Sequence, residues 1–167
     1  MNLPTSIRHA ACALALAGAG FGALATPALA QYRQHITNDP ARCRGGGPAV
    51  NVTVTGIRSS AGKLRVQLYR ATRADWLEKG RWLNRIELPA RAGSMTVCMP
   101  VPGPGSYGIG VRHDVNDNGE TDLTQDGGGA SNNPSFNVFN LGKPSYDKAA
   151  FSVAGGVRSI TITMRYM

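Results

Sequence analysis

The sequence predicts an all-β protein, a single-domain, immunoglobulin-like β-sandwich of about seven short strands with one short helix. Apolar and polar residues alternate with a period of two in several short segments, as in V-N-V-T-V-T at 50–55. Gly, Pro, Asn and Ser separate these segments and indicate turns. The amphipathic helices that an α/β enzyme needs between its strands are absent from the sequence.

Residues 1–30 have the pattern of a secretory signal peptide. Arg8 and His9 give a short basic start, an Ala-rich apolar run follows, and Ala28-Leu29-Ala30 is a small-x-small cleavage site. The apolar run is too short to cross a bilayer comfortably, so we expect no membrane span. We expect a mature chain of residues 31–167, exported to the periplasm or secreted.

Two cysteines, Cys43 and Cys98, remain after removal of the signal peptide. Exported proteins meet an oxidising compartment, so the sequence favours a disulfide between them. A bridge across a loop of this length stabilises by roughly 4 kcal/mol in the chain-entropy model. The alternative is two unpaired thiols, one of them packed in the core.

Residues 31–48 predict an irregular N-terminal arm, followed by the β-sandwich domain at 49–167. Alternating patterns predict strands at 50–55, 64–69, 95–99, 107–113, 149–153 and 159–166. The first two would form a hairpin. Residues 127–147 predict a long loop, with a short strand near Phe136.

The expected helix lies at 72–79. Thr72 is a good N-cap, Asp75 completes a capping-box pattern, and Gly80 is suited to end the helix. We expect one or two turns, packed on the sheet through Trp76 and Leu77.

Charge is distributed unevenly along the chain. The formal net charge is +8; residues 31–112 carry 13 Lys or Arg against 4 Asp or Glu, and residues 113–167 carry 4 against 6. The basic part would suit anionic envelope polymers, and the alternative is an ordinary solvated surface. Nucleic acid is not expected as a partner, because the compartment is wrong and the basic residues lack interleaved aromatics.

The run D-V-N-D-N-G-E-T-D-L-T-Q-D at 114–126 is the one pattern with metal-ligand spacing. The candidate ligands are Asp114, Asn116, Asn118, Glu120, Asp122 and Asp126. The first three alternate before Gly119, as in the first half of an EF-hand calcium loop.

This acidic loop departs from the EF-hand pattern at Gln125, where a bidentate Glu is expected and for which Asp126 would substitute. We therefore expect weak Ca²⁺ binding, with a dissociation constant of roughly 10⁻⁴ to 10⁻³ M. The alternative is an Asn-Gly turn in which Asp and Asn side chains cap their own backbone.

No catalytic pattern is recognisable in the sequence. The G-x-G-x-x-G match at 103–108 precedes a strand and contains Pro104, so it does not indicate a phosphate loop. We expect a non-catalytic binding or structural module, with Ser131-Asn132-Asn133 presenting polar groups to an envelope polymer or protein partner. The alternative is a carbohydrate hydrolase that uses loop carboxylates such as Asp114 and Asp122.

Four segments are informative in combination: G-S-Y-G-I-G-V-R-H-D-V-N-D-N-G-E-T-D at 105–122, G-A-S-N-N at 129–133, K-P-S-Y-D-K-A-A-F-S-V at 143–153 and I-T-I-T-M-R-Y at 160–166. Their order resembles a bacterial family, domain of unknown function 2141, over about residues 50–166. The chain departs at Gly127-Gly128-Gly129, where members more often carry bulkier aromatics, and the Cys43 arm lies outside the pattern. The resemblance implies a secreted or periplasmic, prealbumin-like sandwich and assigns no activity.

Overall fold

The computed structural model describes residues 32–135 and 143–167. The expected signal peptide and the expected strand near Phe136 lie outside the described residues. Within them, ten strands form two sheets, accompanied by one single-turn α-helix and one 3₁₀ helix. The expected all-β, sandwich-like fold is thereby confirmed. No helix in these two ranges is long and apolar enough to cross a membrane.

The elements follow one another along the described residues, with long connections at 71–83 and 115–126. In order they are β1 (Gln34–His35), the 3₁₀ helix (Pro40–Cys43), β2 (Ala49–Ile57), β3 (Lys63–Arg70), β4 (Asn84–Pro89), β5 (Gly93–Pro100), β6 (Gly105–Asp114), β7 (Gly127–Ala130), α1 (Tyr146–Ala149), β8 (Phe151–Val153), β9 (Val157–Thr163) and β10 (Arg165–Tyr166).

The larger sheet has the strand order β1-β4-β3-β6-β7-β10, and β8 pairs with the start of β6. The smaller sheet has the order β5-β2-β9, with β9 parallel to β2. The hairpin expected between the first two strands is therefore wrong, because β2 lies in the smaller sheet and β3 in the larger one. The chain passes from the smaller to the larger sheet at Met164, whose N–H donates to the Thr55 carbonyl at 2.8 Å. This crossing splits the single strand expected at 159–166 into β9 and β10.

The core lies between the two sheets. The inward residues of β2 and β3 alternate as expected, and Val50, Val52 and Leu64 have no solvent exposure. The inner face of β6 adds Tyr107, Ile109 and Val111 to the core. Burial of each such side chain stabilises the fold by about 1.5–3 kcal/mol. The apolar residues of the period-two pattern are therefore the residues that form the core.

The expected helix at 72–79 is wrong, because this segment forms turns. Thr72 and Asp75 do bond through their side chains at 2.9 Å, but Leu77 has a φ of 55° and cannot continue a helix. Trp76 packs over Gly108 and Leu77 over Gly110 on the same face of β6. Consecutive residues of a helix point in different directions, so burying both on one sheet face requires a turn.

The expected disulfide is confirmed, and it fastens the N-terminal arm to the sandwich. Cys43 and Cys98 are bridged, with their Cα atoms 5.8 Å apart. Asn38 accepts a hydrogen bond from the Cys98 N–H at 2.9 Å, beside the edge strand β5. β1 pairs with β4, so the arm covers one edge of each sheet, as edge strands require.

Candidate functional site

The outer face of the larger sheet carries an unusual row of charged and glycine residues. Strand register places Arg65 opposite both Glu87 and Arg112, and it places Gly128 opposite both Arg112 and Arg165. The neighbouring row contains Arg85, Gln67, Gly110 and Ala130. Successive residues of a strand alternate between faces, so both rows face away from the core.

A groove with a volume of about 1060 Å³ lies over these rows. One wall is the turn segment at 77–79, and the other is the acidic loop at 119–123. Two glycines form part of the floor: Gly110, which Leu77 covers, and Gly128, above which the space is free. A Cβ atom built on Gly128 would meet no atom within 4 Å, so the space above this residue is open.

Three arginines of the floor are mostly buried. The side chains of Arg65, Arg85 and Arg112 are 19%, 14% and 15% exposed. Burial and the charge of Arg65 lower the pKa of both the Arg85 and Arg112 guanidinium groups. The positive charges of these guanidinium groups therefore repel one another in a partly desolvated part of the floor.

The Glu87 carboxylate forms ion pairs with two of these arginines, Arg65 and Arg85. It accepts from Arg65 Nε and lies 4.0 Å from Arg85 Nη1. Burial would raise the pKa of Glu87, but the hydrogen bond and charge of Arg65 outweigh burial and hold this pKa below its ordinary value. Glu87 is therefore ionised at neutral pH and compensates only part of the positive charge.

Aromatic side chains close one end of the groove. The Arg85 guanidinium lies 3.7 Å from the centroid of the Trp82 ring, a cation–π contact. Burial raises the pKa of Tyr69 to about 12. Tyr69 therefore remains a neutral phenol, and its hydroxyl is a hydrogen-bond donor at any physiological pH.

Arg112 fixes the acidic loop against the sheet. Its Nη1 donates to the Glu120 carbonyl and, at 2.8 Å, to Thr121 Oγ1. Its Nη2 donates to the Gly119 carbonyl at 2.9 Å and to Asp114 Oδ2 at 3.1 Å. The loop wall of the groove is thus built around one guanidinium.

The loop brings three of the six candidate metal ligands together. Asn116 and Asn118 each donate from Nδ2 to Asp122 Oδ2, at 2.8 and 2.9 Å. The two carboxamide oxygens accept from backbone N–H groups two residues ahead, as capping side chains do. In this structure the amides therefore present nitrogen, not oxygen, to the carboxylate.

The other three candidates bind the loop itself. Asp126 accepts from the N–H groups of Val115 and Asp122 at 3.0 and 3.1 Å, and the Glu120 carbonyl faces Arg112. Asp114 is 2% exposed, and its Oδ1 has no hydrogen-bond partner within the described residues. Within those same ranges, no group of three or more His, Cys, Asp or Glu side chains is placed to hold a metal ion.

Ser131, Asn132 and Asn133 bind neighbouring backbone. Ser131 Oγ accepts from the Ile109 N–H at 3.0 Å and donates to the Ala149 carbonyl. Asn132 donates to the carbonyl of Ala150 at 2.8 Å, and Asn133 accepts from the Thr163 N–H at 2.7 Å. These contacts hold α1, β8 and β9 in place, and a ligand-binding role for the three residues stays a prediction.

The groove arginines were not singled out from the sequence. Arg65, Arg85, Arg112 and Arg165 lie on four different strands, and each occupies an ordinary polar position of its own strand. The sequence patterns that could have indicated them are R-V-Q at 65–67 and V-R at 111–112, in which arginine follows or precedes an inward-facing valine and therefore points outward. Register between strands, which aligns these residues, is not written in any one segment.

Fold and groove together define the class: a two-sheet, sandwich-like β-protein with a basic, glycine-floored groove on one outer face. Residues 52–161 match the family model described as an uncharacterised protein conserved in bacteria, DUF2141. The chain belongs to this family, which confirms the resemblance seen in its sequence. No curated protein and no solved structure matches the chain.

Proposed function

We propose that this protein is an exported, non-catalytic binding module of the bacterial cell envelope, and that the groove is its ligand site. The observation that carries the proposal is the groove itself, about 1060 Å³ with open space above Gly128. Ligand sites in proteins commonly have volumes of about 300–1,000 Å³ and a few well-placed polar groups. The volume of the groove lies close to the upper end of that range, and its lining is more strongly charged than that of an ordinary small-molecule site.

Export is supported by the disulfide between Cys43 and Cys98. Such bridges form and persist in oxidising compartments and are rare in the bacterial cytosol. A periplasmic or secreted location is therefore proposed, in agreement with the signal-peptide pattern of residues 1–30.

The alternative, a carbohydrate hydrolase, is less well supported by the loop geometry. A hydrolase needs two carboxyl groups that flank the scissile bond. Asp114 and Asp126 are 2% and 6% exposed; Asp114 Oδ2 accepts from Arg112 and the Gly119 N–H, and both oxygens of Asp126 accept from loop N–H groups. Asp122 is engaged by two asparagines.

A Gly128→Trp variant tests the binding role, because its new side chain would project into open space above the floor. Gly103→Trp is the matched control; Gly103 also has no atom within 4 Å of a built Cβ and does not line the groove. Each immobilised variant is exposed to soluble envelope glycopolymers, and retained mass is measured by surface plasmon resonance. We expect retention by wild type and Gly103→Trp and its loss in Gly128→Trp. Equal retention by all three contradicts the proposal, and shortening of the retained polymer establishes the hydrolase.

We also propose that the acidic loop binds Ca²⁺ weakly and that the ion stiffens the loop wall of the groove. Two observations support this: the loop ligand order, and the buried Asp114 carboxylate with one oxygen lacking a hydrogen-bond partner within the described residues. A buried, unpaired anionic oxygen is costly, and a cation would satisfy it. Binding would exchange the amide–carboxylate hydrogen bonds at Asp122 for oxygen–metal contacts.

Calorimetry on EDTA-treated protein tests this second proposal. We expect binding heat with a dissociation constant of about 10⁻⁴ to 10⁻³ M and a rise in Tm. Asp122→Ala removes the response, whereas Asp117→Asn, an exposed loop residue paired with Lys63 at 2.9 Å, retains it. Absence of both heat and Tm rise up to millimolar Ca²⁺ rejects the site.

A further inference from the structure

We propose that the ligand of the groove carries oxyanions, carboxylate or phosphate, and that Arg65 and Arg165 bind them on either side of Arg112. This inference rests on the proposed binding role of the groove. It adds the chemical class of the ligand and the residues that recognise it.

Positive charge is concentrated on the floor of the groove. Arg65 and Arg112 lie directly opposite each other on paired antiparallel strands, an arrangement in which like charges are destabilising. Arg85 lies on the adjoining strand and shares Glu87 with Arg65. Ion pairs join these three mostly buried guanidinium groups to two carboxylates, Glu87 and Asp114, and Asp126 adds a weaker negative charge near Arg112. A bound oxyanion would further compensate the positive charge of the floor.

Arg65 and Arg165 have hydrogen-bond donors without partners within the described residues. Both terminal nitrogens of Arg112 already donate hydrogen bonds to oxygens of the acidic loop. Arg65 bonds to Glu87 through Nε, and its Nη1 and Nη2 have no hydrogen-bond partner in the described part of the chain. Arg165 is exposed, lines the groove, and forms no ion pair or side-chain hydrogen bond within 32–135 and 143–167. The planar fork of a guanidinium suits carboxylate and phosphate oxygens.

The open space above the floor lies between Arg112 and Arg165. Gly128 lies beside Arg112 in one direction and Arg165 in the other, and nothing occupies the position above it. The acids that line the groove lie at its sides: Glu120, Asp122 and Asp126 on the loop side and Glu78 on the turn wall. An anionic ligand would therefore turn its charged groups toward the arginines of the floor and away from both walls.

Titration with three defined probes tests the inference. The probes are trigalacturonate (carboxylates), tripolyphosphate (phosphates) and a neutral galactose trisaccharide, and the readouts are calorimetry and Trp fluorescence at low and high salt. We expect one anionic probe to bind, with affinity falling as salt rises, and the neutral sugar to bind at least tenfold more weakly. The anion that binds identifies the source of the oxyanion.

Variants locate the site. Arg65→Gln and Arg165→Gln each weaken anion binding by roughly tenfold or more, the usual effect of losing a charge-assisted hydrogen bond. Arg91→Gln is the matched control: it removes the same charge from an exposed residue that does not line the groove. Because Arg165 is exposed, its variant is expected to fold even if Arg65→Gln is destabilised. Failure of both anions to bind at millimolar concentration, or equal weakening by Arg91→Gln, overturns the inference.

Failure of this inference is distinguishable from failure of the proposed function. If envelope glycopolymers bind wild type but not Gly128→Trp, while Arg165→Gln binds them as wild type does, the groove is a site for neutral ligands. If Gly128→Trp binds as wild type does, the groove itself is not the site.

Discussion

Single residues set the position of the groove walls, and Gly62 is the clearest case. Its φ is +66°, and an added Cβ would overlap the backbone oxygen of Asp114. Gly62 thus permits the β2–β3 turn to lie directly against the start of the acidic loop. The sequence showed a turn at 59–62, but the contact with Asp114 joins residues too distant in the chain to be inferred from either segment.

A Gly62→Ala variant is expected to lose about 3 kcal/mol of unfolding free energy or fail to fold, because the backbone conformation and the overlap both penalise a side chain. Gly128→Ala is the control, since its Cβ enters open space and a strand Gly→Ala change is neutral or stabilising. Urea denaturation of both variants measures the difference. Similar midpoints for the two variants would contradict the account.

Asp75 links the N-terminal arm to the turn wall of the groove. Burial by itself would raise the pKa of its carboxyl, but hydrogen bonds from Thr72, Tyr32 and Arg81, with the Arg81 charge, outweigh burial and lower this pKa. A folded-state pKa below the unfolded value gives stability that is present above the unfolded pKa. This stability is lost as pH falls through the folded pKa.

Asp75→Asn is therefore expected to cost about 1–3 kcal/mol at neutral pH, through partners left unsatisfied. Its unfolding free energy should also fall less than that of wild type as pH drops below about 4. Denaturant titrations at several pH values measure both effects. If the unfolding free energies of the two proteins change equally with pH, the hydrogen bonds to the Asp75 carboxyl do not lower its pKa in the folded protein.

At the scale of elements, the strands with a period of two in their sequence were predictable: β2, β3, β5, β6 and β9 alternate, and β8 lies within the strand expected at 149–153. β7 was not predicted, because Gly127–Ala130 has no apolar–polar alternation and lies in a segment expected to be a loop. β4 was missed because Ile86 is the one fully buried apolar residue in a strand otherwise rich in charge. The helix expected at 72–79 failed because Trp76 and Leu77 both pack on β6, and local propensity gave way to tertiary contact.

The disulfide is an element-scale restraint on the arm. Its two cysteines are 55 residues apart, so the chain-entropy model assigns about 4 kcal/mol to the bridge. We expect the Cys43→Ser, Cys98→Ser double variant to lose stability of that order and to show faster amide exchange in β1. Unchanged exchange at Gln34 and His35 would mean that the β1–β4 pairing holds the arm without the bridge.

At the scale of the whole molecule, the two sheets bury their inner faces against each other, and no third layer within the described residues covers the outer face of the larger sheet. Two connecting segments rise beside this face and form the walls of the groove. The sequence predicted the sandwich, the disulfide and the location of the acidic loop. It could not predict the groove, since Arg65, Arg112, Gly128 and Arg165 become neighbours only through strand register. Leu77 of the turn wall and its neighbour Trp76 were predicted as packing residues but in the wrong local structure.

Backbone amide chemical-shift mapping with soluble envelope glycopolymer fragments tests the central claim most directly. The account predicts shifts concentrated on the outer face of the larger sheet, at Gly110, Arg112 and Gly128, and on the walls at 77–79 and 119–123. Shifts confined to the smaller sheet, formed by β5, β2 and β9, would contradict it.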